Sequence, residues 1–561
     1  MKKITYILST AVLIFALSVV YACAAGDDFT PYKVVCNGVS LDKGYEYHNN
    51  IYISLDNFLE YGDSHALTVD MAKYQIFFDP ADLDIYVGDN ETSRFIQENA
   101  GLVHVSMRAI GSKNYIPLKL LSQIAKLDYD ISGERITLYP QSNSAELMRI
   151  NQKCNAAASL VNASGNTYVL AEGQLCSVIK EFTAFAFVEI IGGEQVYVMK
   201  DCISPIEEGD KVPDFTFSSK TEKTFDHQIN IAWDSSPTVP PAINSGVDVI
   251  CPFEWFYQMV EKDGTLGNNA NIGYTDTAHD MGYQVWATVT NSFTTSGSTK
   301  YTTQVLGDAA LRNRTIAQYL FYAALYDVDG INVDYEDLTA ADKSNFSAFI
   351  GTLGEYAERM GLTFSVATLA PESWNFAIYD YAKLGEQTDY VTVMTYDEHY
   401  GLKSGPGSCS SKGWYTRNIE TLTDYVPAEK ILMGIPLYSF VNRYDESGSF
   451  AAFGKWSAKS VQTCITKAKQ DGRMIQSPTW IEEDGQYYME YKDSEGVYVN
   501  TLWIEDERSV LVRIQTALDK GLAGTACWEV DYVDPSFYDL FKRVYADGEL
   551  PADIISALQE Y

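Results

Sequence analysis

From residue 225 to residue 547, short apolar runs alternate with longer segments in which apolar residues recur at helical spacing. The runs are Ile229–Trp233, Val247–Cys251, Tyr283–Val289, Val328–Glu336, Leu362–Leu369, Tyr390–Tyr396, Ile431–Leu437 and Gly524–Val530. Eight strand–helix units in succession predict an α/β fold, a parallel (β/α)8 barrel. An open doubly wound sheet has the same alternation. We favour the barrel because eight units fit it and no glycine-rich dinucleotide turn occurs.

The spacing changes between the last two of these strands. Residues 440–505 contain further strand-like pieces at Gln486–Tyr491 and Tyr498–Trp503. The long gap therefore predicts an inserted α+β lobe over about 440–505 within a catalytic barrel at 225–548.

The N-terminal part of the chain has a different pattern, in which short alternating segments are separated by turn residues such as Asn37-Gly38 and Asp89-Asn90. We expect a β-rich module at 30–142, with a helix at Leu118–Leu127, and a second β-rich unit at 148–206. Residues 207–224 are polar and lack periodicity, which predicts a linker.

The first 25 residues have the pattern of a secretory leader. Lys2 and Lys3 precede an uncharged apolar run at 4–20, and Ala22-Cys23-Ala24 then supplies the small residues of a cleavage site. An uncleaved anchor and lipidation at Cys23 remain alternatives. All three predict a secreted or cell-envelope location.

Composition narrows the range of partners. The chain has 75 acidic and 41 basic residues, a formal net charge of −34, so binding to a phosphate backbone is disfavoured and we expect no nucleic-acid partner. Aromatic residues make up 13%, which is compatible with stacking on sugar rings, although an aromatic core explains it equally well. We expect a monomer.

The cysteines do not indicate a metal site. There are 9, without close paired spacing, so zinc is not indicated and we predict no cofactor. An exported chain permits disulfides, and Cys154, Cys176 and Cys202 could include one pair, although spacing does not fix the connectivity.

The strongest chemical pattern lies at residues 329–336, DGINVDYE. Because side chains alternate along a strand, Asn332, Asp334 and Glu336 share one face, and Ile331, Val333 and Tyr335 share the other. Inside a barrel the polar face points to the centre, where buried polar groups are costly unless they serve a purpose. Glu336 falls at the carboxyl end of its strand, where barrel enzymes place catalysis.

This segment closely resembles the DGxDxDxE motif of glycoside hydrolase family 18. The resemblance implies hydrolysis assisted by the substrate's own acetamido group, with Glu336 as general acid and Asp334 orienting that group. Asn332 departs from the motif, since most chitinases of the family have Asp there. The Asn form resembles the branch of chitobiases and spore-cortex N-acetylglucosaminidases. We expect its amide to hydrogen-bond to Asp334.

Further segments strengthen the resemblance. Residues 394–397, MTYD, resemble the family's M-x-Y-D element, which implies that Tyr396 holds the acetamido group, that Asp397 contacts the sugar, and that Met394 packs in the barrel. Residues 523–529, AGTACWE, resemble the last strand, which implies that Trp528 forms the floor of the sugar site. Other matching segments suggest that Trp255 and Tyr438 line the cleft. Glu505 and Asp506 either bind there or cap the following helix.

The N-terminal modules carry weaker resemblances. Residues 34–41, 51–62 and 114–140 resemble the copper amine oxidase N-terminal-domain-like stalk modules of secreted bacterial proteins, but no metal-ligand cluster is present. The unit at 148–206 resembles bacterial SH3-like domains. Such modules suggest a cell-wall partner, and a structural spacer is an equal alternative.

The sequence therefore predicts a secreted glycosidase that cleaves a β-linked N-acetylglucosamine-containing glycan, either peptidoglycan or a chitin-like polymer. The partner would be an N-acetylated polysaccharide or oligosaccharide. A non-catalytic, lectin-like protein on the same fold and an endo-β-N-acetylglucosaminidase acting on N-linked glycans remain alternatives, and endo or exo action stays open.

Overall fold

The computed structural model describes residues 29–62, 67–83, 85–140, 147–159, 167–190, 195–205, 215–217, 225–240, 246–258, 263–291, 298–533 and 535–547. The chain divides into two compact units, one formed by residues 1–85 and 102–216 and the other by residues 86–101 and 217–561. The leader, and most of the expected linker, lie outside the described residues.

The larger unit contains a closed parallel barrel, as predicted. Its strands are β1 (Ile229–Asp234), β2 (Val249–Pro252), β3 (Gln284–Thr290), β4 (Gly330–Asp334), β5 (Thr363–Leu369), β6 (Tyr390–Met394), β7 (Ile431–Pro436) and β8 (Gly524–Trp528). Neighbouring strands pair in parallel from β1 through β8, and β1 also pairs with β8 in the register Ile229↔Gly524. This last pairing closes the sheet and rules out the open doubly wound alternative.

Helices cover the outside of the barrel. They are Ile272–Asp280, Ser298–Gly307, Ala309–Leu325, Lys343–Arg359, Tyr381–Gln387, Lys412–Thr423, Glu507–Asp519 and Asp539–Asp547. The helix Ala309–Leu325 begins where Asp308 accepts hydrogen bonds from two backbone N–H groups of its first turn. A short hairpin, Phe256–Gln258 and Leu266–Asn268, extends the sheet beside β3.

The inserted lobe lies between β7 and β8, where the sequence predicts it. Its antiparallel sheet comprises the strands Tyr438–Tyr444, Phe450–Ser457, Met474–Ile481, Gln486–Lys492 and Val499–Ile504. The helix Ala458–Gln470 covers one face of this sheet and buries Val461, Ile465 and Ala468 against it. The lobe therefore has an apolar core of its own.

The smaller unit is rich in β-structure, as expected for both N-terminal regions. The first region contains strands Thr30–Cys36, Val39–Ser40, Gly44–Tyr47, Asn50–Ser54, Leu67–Asp70, Gln75–Phe78, Val103–Ser106, Arg108–Ile110, Lys113–Pro117, Leu127–Ser132 and Arg135–Pro140, and helices Leu55–Tyr61 and Leu118–Ile124. The second contains strands Leu147–Ile150, Cys154–Ala157, Thr167–Leu170, Leu175–Glu181, Phe185–Ile190, Gln195–Met199 and Ile203–Pro205, all in one sheet. The resemblances to named modules stay predictions.

Of the two turns that the sequence predicts in this region, one is observed and the other is not. Asn37 and Gly38 form the expected turn, with φ of 49° and 75°. Asp89 instead caps the helix Asn90–Asn99, which belongs to the larger unit although the sequence places it within the module at 30–142. Ring stacking of Phe95 on Tyr356, with 4.1 Å between centroids, explains this assignment.

Neither the linker nor the cysteines fully follow the sequence expectation. Residues 215–217 form a short strand, Phe215–Phe217, inside the region expected to be a linker. The described cysteines are all free thiols, so the structure contains no disulfide among Cys154, Cys176 and Cys202, a pairing that the sequence permits but does not require. In the described part of the chain, no helix combines the length and the apolar character needed to cross a membrane.

Candidate active site

Strand β4 directs alternate side chains to the two sides of the barrel wall, as the sequence predicts. Ile331, Val333 and Tyr335 are buried, and Tyr335 stacks on Phe346 and Phe349 of the covering helix. The polar face points inward. The strand therefore separates an apolar layer from a polar interior.

Asn332 lies at the bottom of this polar face and is fully buried. Its carbonyl oxygen accepts a hydrogen bond from Trp233 Nε1 at 3.2 Å, and its amide donates to Ser365 Oγ at 2.7 Å. The amide of Asn332 is thus held by residues of β1 and β5, and the expected hydrogen bond to Asp334 is not formed. Asn332 thus ties three barrel strands together beneath the site.

Asp334 is the last residue of β4, and only 3% of it is exposed. Its Oδ1 has no hydrogen-bond partner among the described residues. Burial raises the pKa of this carboxyl well above its ordinary value, and the charges of Glu336 and Glu254 raise it further. This setting favours the protonated form of the carboxyl and leaves one oxygen free for a ligand.

Glu336 lies two residues beyond the end of β4. Asn291, which follows β3, fixes its backbone: the amide donates to the Glu336 carbonyl at 2.6 Å and accepts from the Glu336 N–H at 2.8 Å. Burial raises the pKa of the Glu336 carboxyl to about 7, with contributions from Asp337 and Asp397, while Lys455 lowers it. No described protein group hydrogen-bonds to this carboxyl, which is therefore free to exchange a proton with a ligand.

The residues after β6 form the opposite side of the site. The hydroxyl of Tyr396 makes no hydrogen bond within the described residues, and burial raises its pKa, with Asp334, Asp397 and Glu336 adding to the shift. Asp397 has a φ of 64°, a conformation that few residues other than glycine adopt. Its carboxylate accepts a hydrogen bond from the Tyr438 hydroxyl and forms an ion pair with Lys455 at 2.9 Å.

Trp528 ends β8 and is only partly buried. Its ring packs against Phe253, with 4.9 Å between centroids, and against Trp233 at 5.8 Å. This leaves an indole face at the carboxyl end of the barrel, where a sugar ring could stack. Met394, the last residue of β6, is 7% exposed and packs in the barrel as expected.

Other candidates lie away from this cluster. Trp255 is 6% exposed and packs edge-on against Tyr274, in an aromatic cluster beside β2, so its role as a sugar contact stays a prediction. Asp506 caps the helix Glu507–Asp519 in a capping box with Ser509. Glu505 is paired with Arg513 inside the protein. Helix capping is therefore observed for Asp506, whereas Glu505 takes part in a buried ion pair that neither interpretation included.

Two residues of the site, Asn291 and Lys455, are not predicted from the sequence. Asn291 has a weak signal, an amide directly after a buried strand. Lys455 has none, because it comes from the inserted lobe, 58 residues from Asp397. Among the described residues, no group of three or more His, Cys, Asp or Glu side chains is placed to hold a metal ion.

A closed parallel barrel with unpaired acidic side chains at the carboxyl ends of its strands has the architecture of a barrel glycosidase. The comparisons with known proteins agree. Residues 260–532 match the model of the glycosyl hydrolases family 18. This stretch is therefore a glycosyl hydrolase family 18 domain, and the chain is a glycosidase.

Several relatives share this domain. The chain is 25% identical over 294 residues to the glycosylase YvbX of Bacillus subtilis (strain 168), covering 50% of this chain and 81% of the relative. It is 25% identical over 325 residues to the cortical fragment-lytic enzyme of Bacillus anthracis, covering 55% and 73%. The fold is also similar to the crystal structure of the Bacillus cereus spore cortex-lytic enzyme SleL, with a TM-score of 0.50, 20% identity, and coverage of 56% and 74%.

Proposed function

We propose that this chain is an exported hydrolase of bacterial cell-wall glycan that cleaves beside a β-linked N-acetylglucosamine and retains the anomeric configuration. The observation that carries this proposal is the pair of carboxyl groups on Asp334 and Glu336. They follow one another on the inward face of β4, both have raised pKa values, and neither is neutralised by a hydrogen-bonded cation. A structural pair would have found partners.

In the proposed first step, the acetamido oxygen of the substrate attacks the anomeric carbon while the glycosidic C–O bond breaks. Glu336 donates its proton to the departing oxygen, which a pKa of about 7 allows near neutral pH. The free oxygen of Asp334 and the hydroxyl of Tyr396 orient the acetamido group. Water then adds to the oxazolinium ion, and Glu336 takes the proton back.

The choice of wall glycan rests on two supports. The relatives include proteins whose names describe lysis of cortical fragments. The N-terminal leader, with two lysines and an apolar run, favours export to the envelope, which is where such a polymer is found. Fractionation of cells that produce the full chain tests the location directly.

The test of the reaction is hydrolysis of a substrate panel by the purified chain: peptidoglycan fragments, chito-oligosaccharides and high-mannose glycopeptides. We expect release of reducing ends from peptidoglycan fragments, with the β-anomer of the new end appearing first by NMR. Glu336→Gln should abolish this release without loss of sugar binding.

Glu358→Gln provides the matched control, because Glu358 is an exposed glutamate on the helix that follows β4. It should turn over like the parent chain. Full turnover by Glu336→Gln would overturn the proposed acid. Binding to one substrate without turnover of any would establish the lectin-like alternative instead.

A further inference from the structure

An open groove of about 570 Å³ lies in the inserted lobe. One wall is the helix Ala458–Gln470, and the other is formed by strand residues such as Arg443 and Tyr491 and by the turn at residues 493–495. The groove uses none of the residues assigned to the catalytic site. Its lining must therefore be explained separately.

The lining is basic, in contrast to the whole chain. Four of its thirteen residues are cations, Arg443, Lys459, Lys467 and Arg473, whereas only 41 of 561 residues are basic in a chain of net charge −34. Among the described residues, the ammonium groups of Lys459 and Lys467 have no ion-pair partner. Arg473 is paired with Asp471 at 3.0 Å, so the unpaired positive charge comes from the two lysines, and it favours an anionic ligand.

The two acids of the lining do not neutralise these lysines. Asp493 is 7% exposed, and its carboxylate accepts hydrogen bonds from the backbone N–H groups of Val497 and Tyr498. Glu495 accepts a hydrogen bond from Ser494. Both carboxylates thus serve the turn that closes one end of the groove, and the charge of Arg443 also acts on the Asp493 carboxylate.

The spacing of the cations indicates an extended ligand. Lys459 and Lys467 are eight residues apart on one helix, which places them about 12 Å apart along its axis. Arg443 faces them from the other wall, held by a hydrogen bond from its Nε to Asn500 Oδ1 at 3.3 Å. A small anion would meet one of these charges, whereas a polymer with repeated anionic groups would meet several.

The groove and the catalytic cleft lie on opposite faces of one strand, Phe450–Ser457. Lys455 points from this strand to Asp397 in the cleft. The next residue, Trp456, points the other way, packing on the apolar core of the lobe and lining the groove. A ligand in the groove therefore leaves the cleft open.

We propose that this groove binds an anionic glycan, a sugar polymer with carboxylate or phosphate groups along its length, at a site separate from the catalytic cleft. The overall negative charge of the chain does not prevent this contact, because charges farther than about 8 Å away are screened at physiological ionic strength. Trp456, which is only partly buried, supplies aromatic surface beside the cations.

The experiment measures co-sedimentation of the full chain with three insoluble probes: peptidoglycan stripped of teichoic acid, walls that retain teichoic acid, and colloidal chitin. All chains carry Glu336→Gln, so that the probes stay intact. The test variant is Lys459→Gln with Lys467→Gln. The control is Lys469→Gln, which removes an exposed charge from the same helix outside the groove.

We expect the double variant to bind anionic walls about tenfold more weakly, a loss of about 1.4 kcal/mol, with binding to chitin unchanged. A loss on stripped peptidoglycan identifies carboxylates as the ligand groups, and a loss only on walls with teichoic acid identifies phosphates. Arg443→Gln, on the other wall, should weaken binding in the same way. Thermal melting of each variant confirms that it is folded.

Equal binding by the double variant and the Lys469→Gln control would overturn the proposal, as would an equal loss on chitin. The inference rests on the proposed function only in placing the protein at a wall polymer. Binding is measured without turnover, and turnover of soluble chito-oligosaccharides is measured separately with Glu336 intact. Failure of the groove and failure of the catalytic proposal are therefore distinguishable.

Discussion

Glu336 and Glu505 are two carboxyl groups of the same domain whose pKa values burial raises to about 7. Their surroundings differ. Glu505 is 1% exposed at its side chain and forms an ion pair with Arg513, while Gln486 and Ser509 donate hydrogen bonds to it. Glu336 has no hydrogen-bond donor to its carboxyl among the described residues, and its cleft side is open.

The difference shows that a raised pKa does not by itself identify a catalytic acid. At Glu505 each oxygen is occupied, so the group can neither reach a substrate nor exchange a proton with one. Its network continues through Arg513, which donates to the Ser410 carbonyl, and Ser410 donates to the Thr395 carbonyl beside Tyr396. In the proposed reaction Glu336 acts on the ligand, whereas Glu505 supports the loop that carries Tyr396.

The largest effect is expected at Glu336, the proposed general acid. Glu336→Gln should lower kcat by about 10²–10⁴-fold, the usual contribution of a general acid. Steady-state kinetics on soluble chito-oligosaccharides measures it. A reduction below tenfold would contradict the assignment.

Glu336→Gln should lower activity but should make the folded protein more stable at alkaline pH. The folded carboxyl has a pKa of about 7 against an ordinary 4.5, so its ionisation destabilises the fold increasingly as pH rises through this interval. Glu336→Gln should melt higher than the parent at pH 8 and at the same temperature at pH 4. A lower melting temperature at pH 8 would refute the burial argument.

The next largest effect is expected for the ion pair between Glu505 and Arg513. Arg513→Met leaves Glu505 buried without its cation and should cost about 3–5 kcal/mol of unfolding free energy, measured by denaturant titration. Adding Glu505→Gln should recover part of this loss, because no unpaired charge then remains inside. If the single variant is as stable as the parent, the pair has no structural role.

A smaller effect is expected where the backbone of Glu336 is held. Asn291→Ala removes both hydrogen bonds to that backbone and should lower kcat by about tenfold, with less change in KM, because the acid loses its fixed position. Asn291→Asp keeps an acceptor for the Glu336 N–H and should retain more activity than Asn291→Ala. Equal kinetics of the two variants would argue against positioning.

The smallest effect is expected at Lys455. Its charge lowers the pKa of Glu336, so Lys455→Gln should raise that pKa and move the alkaline limb of the kcat/KM profile to higher pH. Lys455→Arg retains the charge and should keep the parent profile. A shift toward lower pH would mean that Lys455 acts on the site by another route.

Much of the fold follows from the sequence because buried parallel strands are continuous apolar runs. All eight predicted runs overlap the observed barrel strands. The main failure, at Asp89-Asn90, has a physical reason. An Asp before a helix and an Asp in a turn have the same local sequence, and packing on a distant helix decides between them.

The site is predictable only where its residues come from one strand. The alternation along β4 gives Asn332, Asp334 and Glu336 together, since a period of two places them on one face. The contact of Lys455 with Asp397 depends on the packing of the inserted lobe, and the partners of Asn332 depend on closure of the barrel. No pattern local to either residue contains this information.

The pairing of β1 with β8 has a consequence for folding during synthesis of the chain. Thr525 of the last strand donates a hydrogen bond to Asn230 of the first, 295 residues earlier. A contact so distant along the chain forms late, because the intervening polypeptide must be made and brought together first. During synthesis the ring stays open until its final strand emerges, and Trp528 arrives with that strand. The candidate active site of the nascent polypeptide is therefore complete only when the last barrel strand is in place.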